Sequence, residues 1–70
     1  MQEAPTAYEE LAARVVELAR QKTPIGTQRT GVGFHGTYSD GETTHFVGPF
    51  LTETTARTEA AITALEKLHP

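Results

Sequence analysis

The chain has 70 residues, no cysteine and a formal net charge of −3. This length fits one small domain, and without cysteine there is neither a disulfide nor a thiolate metal site. The acidic balance argues against a general binder of nucleic acid or anionic membranes. No apolar run approaches the ~20 residues of a membrane span, and the first residues lack a secretory signal pattern. We therefore expect a cytoplasmic protein with no membrane partner.

The chain divides into a short tail and one folded unit. Residues 1–5 are expected to be a flexible N-terminus, and residues 6–70 a single domain. Thr6 is a candidate N-cap, and Glu9 completes a capping box three positions on. Pro24 ends this first helix near residues 21–23. Its predicted core side is an apolar stripe at helical spacing, made of Tyr8, Leu11, Val15 and Leu18, with Ala12 and Ala19.

Residues 25–29 fit either a short edge strand or a loop, and a β-hairpin follows them. Asp40-Gly41 stands between two runs rich in aromatic and β-branched residues, which is a strong hairpin signal. A two-residue loop would pair Phe34 with Val47. A three-residue loop over residues 39–41 would pair Phe34 with Phe46. We favour the second register, because it places Phe34, Tyr38 and Phe46 together on the core face.

The other face of the predicted hairpin is polar, and we expect it to bind a partner. Its residues are His35, Thr37, Thr43, His45 and Val47. In this register the two histidines face each other about 5 Å apart at Cβ. A closed metal site needs about four ligands, and only the two threonines lie nearby. We therefore predict solvated histidines and no metal site.

The last helix begins at a threonine cap, either Thr52 or Thr54. Alanines on one side allow it to lie close to the sheet. The predicted fold class is α+β: a two-layer α-β-β(-β)-α arrangement with an antiparallel hairpin sheet and both helices on one face. The predicted core comprises Leu11, Val15, Leu18, Phe34, Tyr38, Phe46, Phe50, Ile62, Leu65 and Leu68.

A pattern of glycine, threonine and alanine runs through the C-terminal half. Gly48, Thr52, Ala56-Arg57, Ala60-Ala61 and residues 64–68 have the spacing found at the end of a double-stranded-RNA-binding domain. The chain resembles that family, which implies an α-β-β-β-α fold. The resemblance also places Arg29, Thr54 and Arg57 near one phosphate-binding surface. Glu53 and Thr54 stand where the family has lysines, so any RNA binding would be weak or unusual.

A second likeness concerns residues 31–33, the hairpin and residues 54–59. This stretch is similar to the middle of a ribonuclease H core, in which Glu59 would match a metal-binding glutamate. The strand with the catalytic Asp and the later acidic residues have no counterpart. Two-metal hydrolysis needs several converging carboxylates. This likeness therefore implies an inactive ribonuclease H-like remnant.

Together these features predict a small non-catalytic binding module with no catalytic residue and no cofactor. The favoured function is protein–protein recognition or self-association through the sheet and its free edge, with a protein partner or a homodimer. The alternative is weak double-stranded RNA binding through Arg29, Thr54 and Arg57. The inactive ribonuclease H-like remnant is the third interpretation.

Overall fold

The computed structural model describes residues 7–68 of the chain. They form α1 (Ala7–Arg20), β1 (Ile25–Thr30), β2 (Gly33–Ser39), β3 (Thr44–Phe50) and α2 (Glu53–Leu68). The fold is α+β with the order α-β-β-β-α, as predicted. The predicted tail over residues 1–5, the N-cap at Thr6 and the side chain of Tyr8 lie outside what is described. Neither helix among these residues is long and apolar enough to cross a bilayer.

The three strands form one antiparallel sheet in the order β1-β2-β3. Residues 25–29 therefore belong to a strand, which pairs with β2 from Ile25 opposite Tyr38 to Thr30 opposite Gly33. The ladder between β2 and β3 is regular only near the turn, and an irregularity separates it from the Phe34–Phe50 pair. Pro49 lies within this irregular end of β3, where an edge strand tolerates a residue that lacks an N–H donor.

The hairpin register differs from the predicted one. Ser39 pairs with Thr44, so the loop has four residues, and the Asp40 N–H donates to the Thr43 carbonyl at 3.2 Å. Tyr38 lies opposite His45, and the predicted Phe34–Phe46 and His35–His45 pairs are wrong. The shift between the two registers is an odd number of positions. Side chains of β3 therefore point to the opposite face from the predicted one.

The core lies between the sheet and α2, and it is built mainly from alanine. Ala56, Ala60, Ala61 and Ala64 of α2 are each fully buried. Helix α1 packs on α2 and reaches the β1 edge of the sheet. Small side chains allow these close approaches. No large side chain among the described residues is fully buried, so the core is shallow.

The buried side of α1 matches the predicted stripe only in part. Ala12 and Ala19 are buried as predicted, but Leu11 and Leu18 are 62% and 53% exposed, and Val16, which lay outside the predicted stripe, is buried. Because successive residues lie about 100° apart around a helix, the buried side is rotated away from the leucines and toward Val16. Tyr38 is buried as predicted, and three more predicted residues pack at the margin of the core: Val15, Leu65 and Leu68.

The start of α2 is capped by Thr52 rather than by Thr54. The Thr55 N–H donates to the Thr52 hydroxyl oxygen at 3.1 Å, and the Ala56 N–H donates to the Thr52 carbonyl at 3.1 Å. The first bond satisfies one of the backbone donors that a helix leaves free in its first turn, and the second is the first hydrogen bond of the helix itself. The predicted cap was one of two threonines, and the hydrogen bonds decide between them.

Candidate functional site

One face of the sheet is left uncovered by every described element. Pairing and alternation place on it Gly26, Gln28, Thr30, His35, Thr37, Thr44 and Phe46, which we call the open face. Two contacts agree with this placement. A Cβ on Gly26 would lie 3.0 Å from the Thr37 hydroxyl, and the His35 and Phe46 rings are in contact.

The open face carries no Lys, Arg, Asp or Glu. The three strands, all within the described residues, contain a single such residue, Arg29. Arg29 pairs with Phe34 in the ladder, and its guanidinium carbon lies 5.9 Å from the Phe34 ring centroid on the helical side. Charged residues are 21% of the chain, so a charge-free sheet face stands out from the rest of this surface. The buried centres of protein interfaces show the same depletion of charge.

Phe46 is the main apolar group of the open face. Its side chain lies opposite Thr37, and the residue is 56% exposed. The His35 ring meets it edge-on, with a centroid separation of 6.4 Å and an interplanar angle of 80°. An exposed aromatic ring held by a neighbouring ring is a rigid contact group, because little side-chain entropy remains to be lost on binding.

The structure separates the five predicted partner-binding residues. His35 and Thr37 lie on the open face, as expected. Thr43 lies in the hairpin loop, and the odd register shift turns His45 and Val47 toward the helices, where Val47 packs against the core. Because His35 and His45 are on opposite faces, they cannot share a metal ion. Residues 7–68 contain no cluster of three or more His, Asp or Glu that could hold one.

His45 instead belongs to a small cluster at the hairpin end. Its ring stacks on Tyr38 with a centroid separation of 5.0 Å, and its Nε2 lies 2.9 Å from Asp40 Oδ2. The other oxygen of Asp40 accepts from the backbone N–H groups of Glu42 and Thr43, at 2.9 and 2.8 Å. The hydrogen bond from His45, with those two backbone bonds, holds the pKa of Asp40 well below its ordinary value of 3.8.

The predicted RNA-binding residues are only partly brought together. Thr54 and Arg57 line one cleft between the helices. Arg29 lies on β1, with its guanidinium over the ring of Phe34 on β2. Arg57 Nη2 lies 2.5 Å from Glu53 Oε1, and the Thr27 hydroxyl donates to the same oxygen at 3.3 Å. An acidic partner thus offsets the one cation at the start of α2. Phosphate binding depends on uncompensated positive charge, which this arrangement reduces.

Glu59, which the ribonuclease H likeness would use as a metal ligand, lies within α2. Its carbonyl accepts a hydrogen bond from the Thr63 hydroxyl at 2.8 Å. Within residues 7–68 it belongs to no group of three or more His, Asp or Glu that could hold a metal ion. The geometry therefore lacks the convergent acids on which two-metal hydrolysis depends.

Five members of the open face are not predicted by the sequence: Gly26, Gln28, Thr30, Thr44 and Phe46. The predicted register turns the two β3 residues toward the core, and the other three lie in or next to a segment whose pattern fits either a strand or a loop. One signal was present in the sequence. Between Ile25 and Phe50, the three strands carry one charged side chain in a chain that has 15.

Comparison with known proteins gives no relative for this chain. No family model, no curated protein and no solved structure matches it. The likenesses to a double-stranded-RNA-binding domain and to ribonuclease H therefore stay predictions from residue spacing.

Proposed function

We propose that this chain is a non-catalytic interaction domain that self-associates by packing the open face of one copy against that of another. The observation that supports this most directly is a sheet face without charge that exposes Phe46. Two copies each carry a net charge of −3 and repel one another over most of their surfaces. The open face is where they can approach without placing like charges together.

The size of the open face sets the strength of the contact. Three strands about 4.8 Å apart and about 23 Å long present a few hundred Å² per copy. A stable complex of ordinary size buries about 800 Å² per partner. We therefore expect a weak dimer, with a dissociation constant in the micromolar-to-millimolar range.

The shallow core favours such a dimer. A two-layer domain of this length gains little from its own interior, and natural small domains often add stability by oligomerising. Packing two open faces would create a sandwich of two sheets about 10 Å apart, with the helices outside. The Phe46 ring would then move from water into the centre of the sandwich.

Sedimentation equilibrium over a wide concentration range tests the proposal. The wild-type chain should shift from monomer to dimer, and Phe46→Thr should remain monomeric at every concentration. Leu51→Thr is the matched control, because Leu51 is 96% exposed but lies beyond β3 and outside the open face. A wild-type chain that stays monomeric at millimolar concentration would refute self-association. Equal loss of the dimer in both variants would refute the open face as its location.

Double-stranded RNA binding is the rival function, and a titration with RNA tests it. A duplex of about 20 base pairs at low salt is added to the ¹⁵N-labelled chain, and backbone amide shifts are followed. We expect no saturable shift. Shifts that cluster at Arg29, Thr54 and Arg57 and fade with added salt would overturn this expectation and favour the RNA-binding interpretation.

A further inference from the structure

A cleft of about 320 Å³ lies between α1 and the first half of α2. This volume is at the lower end of the range for ligand pockets, which suits a small molecule. Its floor is formed by Ala12, Ala13 and Val16 of α1. Because both helices cover the side of the sheet opposite the open face, the cleft is separate from the surface proposed for self-association.

Charged groups of both signs line the cleft above this apolar floor. Helix α1 contributes Glu9, Glu17 and Arg20, and α2 contributes Arg57. Glu53 is the ion-pair partner of Arg57, but Glu17 and Arg20 stand three positions apart on α1 and bring a carboxylate and a guanidinium to the same cleft. A ligand that carries both charges can meet both groups, whereas a ligand with a single charge can meet only one of them.

The Arg57 guanidinium has a hydrogen-bond donor without a partner. Its Nη2 is paired with Glu53, but its Nε is buried and has no hydrogen-bond partner among the described residues. An arginine presents its donors as a fork, and a carboxylate is the group that occupies two of them at once. A buried N–H without a partner is uncommon, because each one costs the desolvation of a polar group.

We propose that this cleft binds a small zwitterion, namely a free α-amino acid or dipeptide with an aliphatic side chain. The carboxylate would bind Arg20 and Arg57, the ammonium group would bind Glu17, and the aliphatic side chain would lie on the alanine floor. Arg57 would turn its unpartnered Nε–H toward the carboxylate as the ligand enters. Binding is expected to be in the millimolar range, since the cleft is small and opens to water.

An amide-shift titration of the full chain with L-leucine tests this assignment. L-leucine should give saturable shifts that cluster at Ala13, Val16 and Thr58, while the open face stays unchanged. N-acetyl-L-leucine lacks the ammonium group and L-leucinamide lacks the carboxylate. Each of these two analogues should bind at least about tenfold more weakly.

Two variants of α1 locate the site. Ala13 is exposed on the cleft, so Ala13→Trp fills the cleft without replacing a core residue, and it should abolish the shifts. Leu18→Trp is the matched control on another side of the same helix and should bind as the wild type does. Circular dichroism confirms that both variants fold. Absence of saturable shifts, equal binding of either analogue, or binding by Ala13→Trp would overturn the proposal without affecting the sedimentation result.

Discussion

Gly36 of β2 lies directly beneath Ala60 of α2, with no room for a side chain between them. A Cβ on Gly36 would stand 2.6 Å from the Ala60 Cβ and 2.0 Å from the Ala56 carbonyl oxygen. The second distance involves backbone, which cannot turn aside as a flexible side chain can. The contact therefore sets how closely α2 approaches the sheet.

Gly36→Ala should push α2 away from β2 and strongly destabilise the fold. Overpacking against backbone costs about 3 kcal/mol or more, a large share of the stability of a domain this small. Gly31→Ala is the control, since a Cβ on Gly31 would meet nothing within 4 Å. We expect it to be neutral or slightly stabilising. Urea unfolding at 25 °C measures both, and equal midpoints would contradict this account of the contact.

A second prediction concerns Thr23, which links the end of α1 to the end of β2. Its buried hydroxyl donates to the Ser39 carbonyl, and its own N–H bonds the Ala19 carbonyl at 2.9 Å. Thr23→Val keeps the shape but leaves the carbonyl without this donor, which should cost about 1–3 kcal/mol. Thr23→Ser keeps the donor and should cost less. Urea unfolding ranks the two variants, and a Val variant as stable as wild type would exclude the bond as a structural link.

Both helices and the hairpin were predictable from sequence because their local signals are strong, whereas residues 25–29, which form most of β1, fit a strand or a loop equally well. Pro24 separates α1 from β1, and the alanine-rich pattern of α2 follows a threonine cap. Helix α1 was the exception in its orientation. The predicted stripe held both the large residues Leu11 and Leu18 and the small residues Ala12 and Ala19. Only tertiary packing selects the alanine side of that stripe, because small side chains let α1 approach α2 closely.

The hairpin register, and with it the candidate site, could not be derived from the Asp-Gly signal alone. That signal identifies a turn but leaves its length open. Side-chain bonds decide the length, since Asp40 accepts from both Glu42 and Thr43 and so closes a four-residue loop. Because the shift is odd, Phe46 moved from the predicted core to the open face. The loop has four residues rather than three and begins one residue later, so the pairing moves by three positions and every β3 side chain near the turn changes face.

The third prediction is that Asp40 makes the stability of the fold depend on pH in the acidic range. Its folded pKa lies below the ordinary value of 3.8, so the folded state binds its proton less readily than the unfolded chain does. This contribution is fully present above pH 3.8, and it is lost as the pH falls through the lowered folded pKa. Asp40→Asn removes the charge, so its stability deficit relative to wild type should be largest near pH 6 and shrink toward pH 2.

Chemical denaturation at several pH values measures this difference directly. Glu42→Gln is the matched control, because Glu42 lies in the same loop and contacts Asp40 through its backbone N–H. The difference in unfolding free energy between Glu42→Gln and wild type should change less with pH than the difference between Asp40→Asn and wild type. A deficit for Asp40→Asn that is constant from pH 6 to pH 2 would show that the carboxylate charge does not contribute.

The last prediction compares the contribution of Phe46 to stability in the monomer with its contribution in the proposed dimer. In the monomer this side chain is already 56% exposed, so Phe46→Thr should change the unfolding free energy by no more than about 1 kcal/mol at low concentration. At a concentration about tenfold above the dimer dissociation constant, association adds about 1.4 kcal/mol of stability. In a domain of this size that should raise the wild-type melting temperature by about 5–10 °C.

Phe46→Thr should melt at one temperature at every protein concentration, whereas Leu51→Thr should follow the wild type. A wild-type melting temperature that is independent of protein concentration would contradict the burial of Phe46 in a dimer.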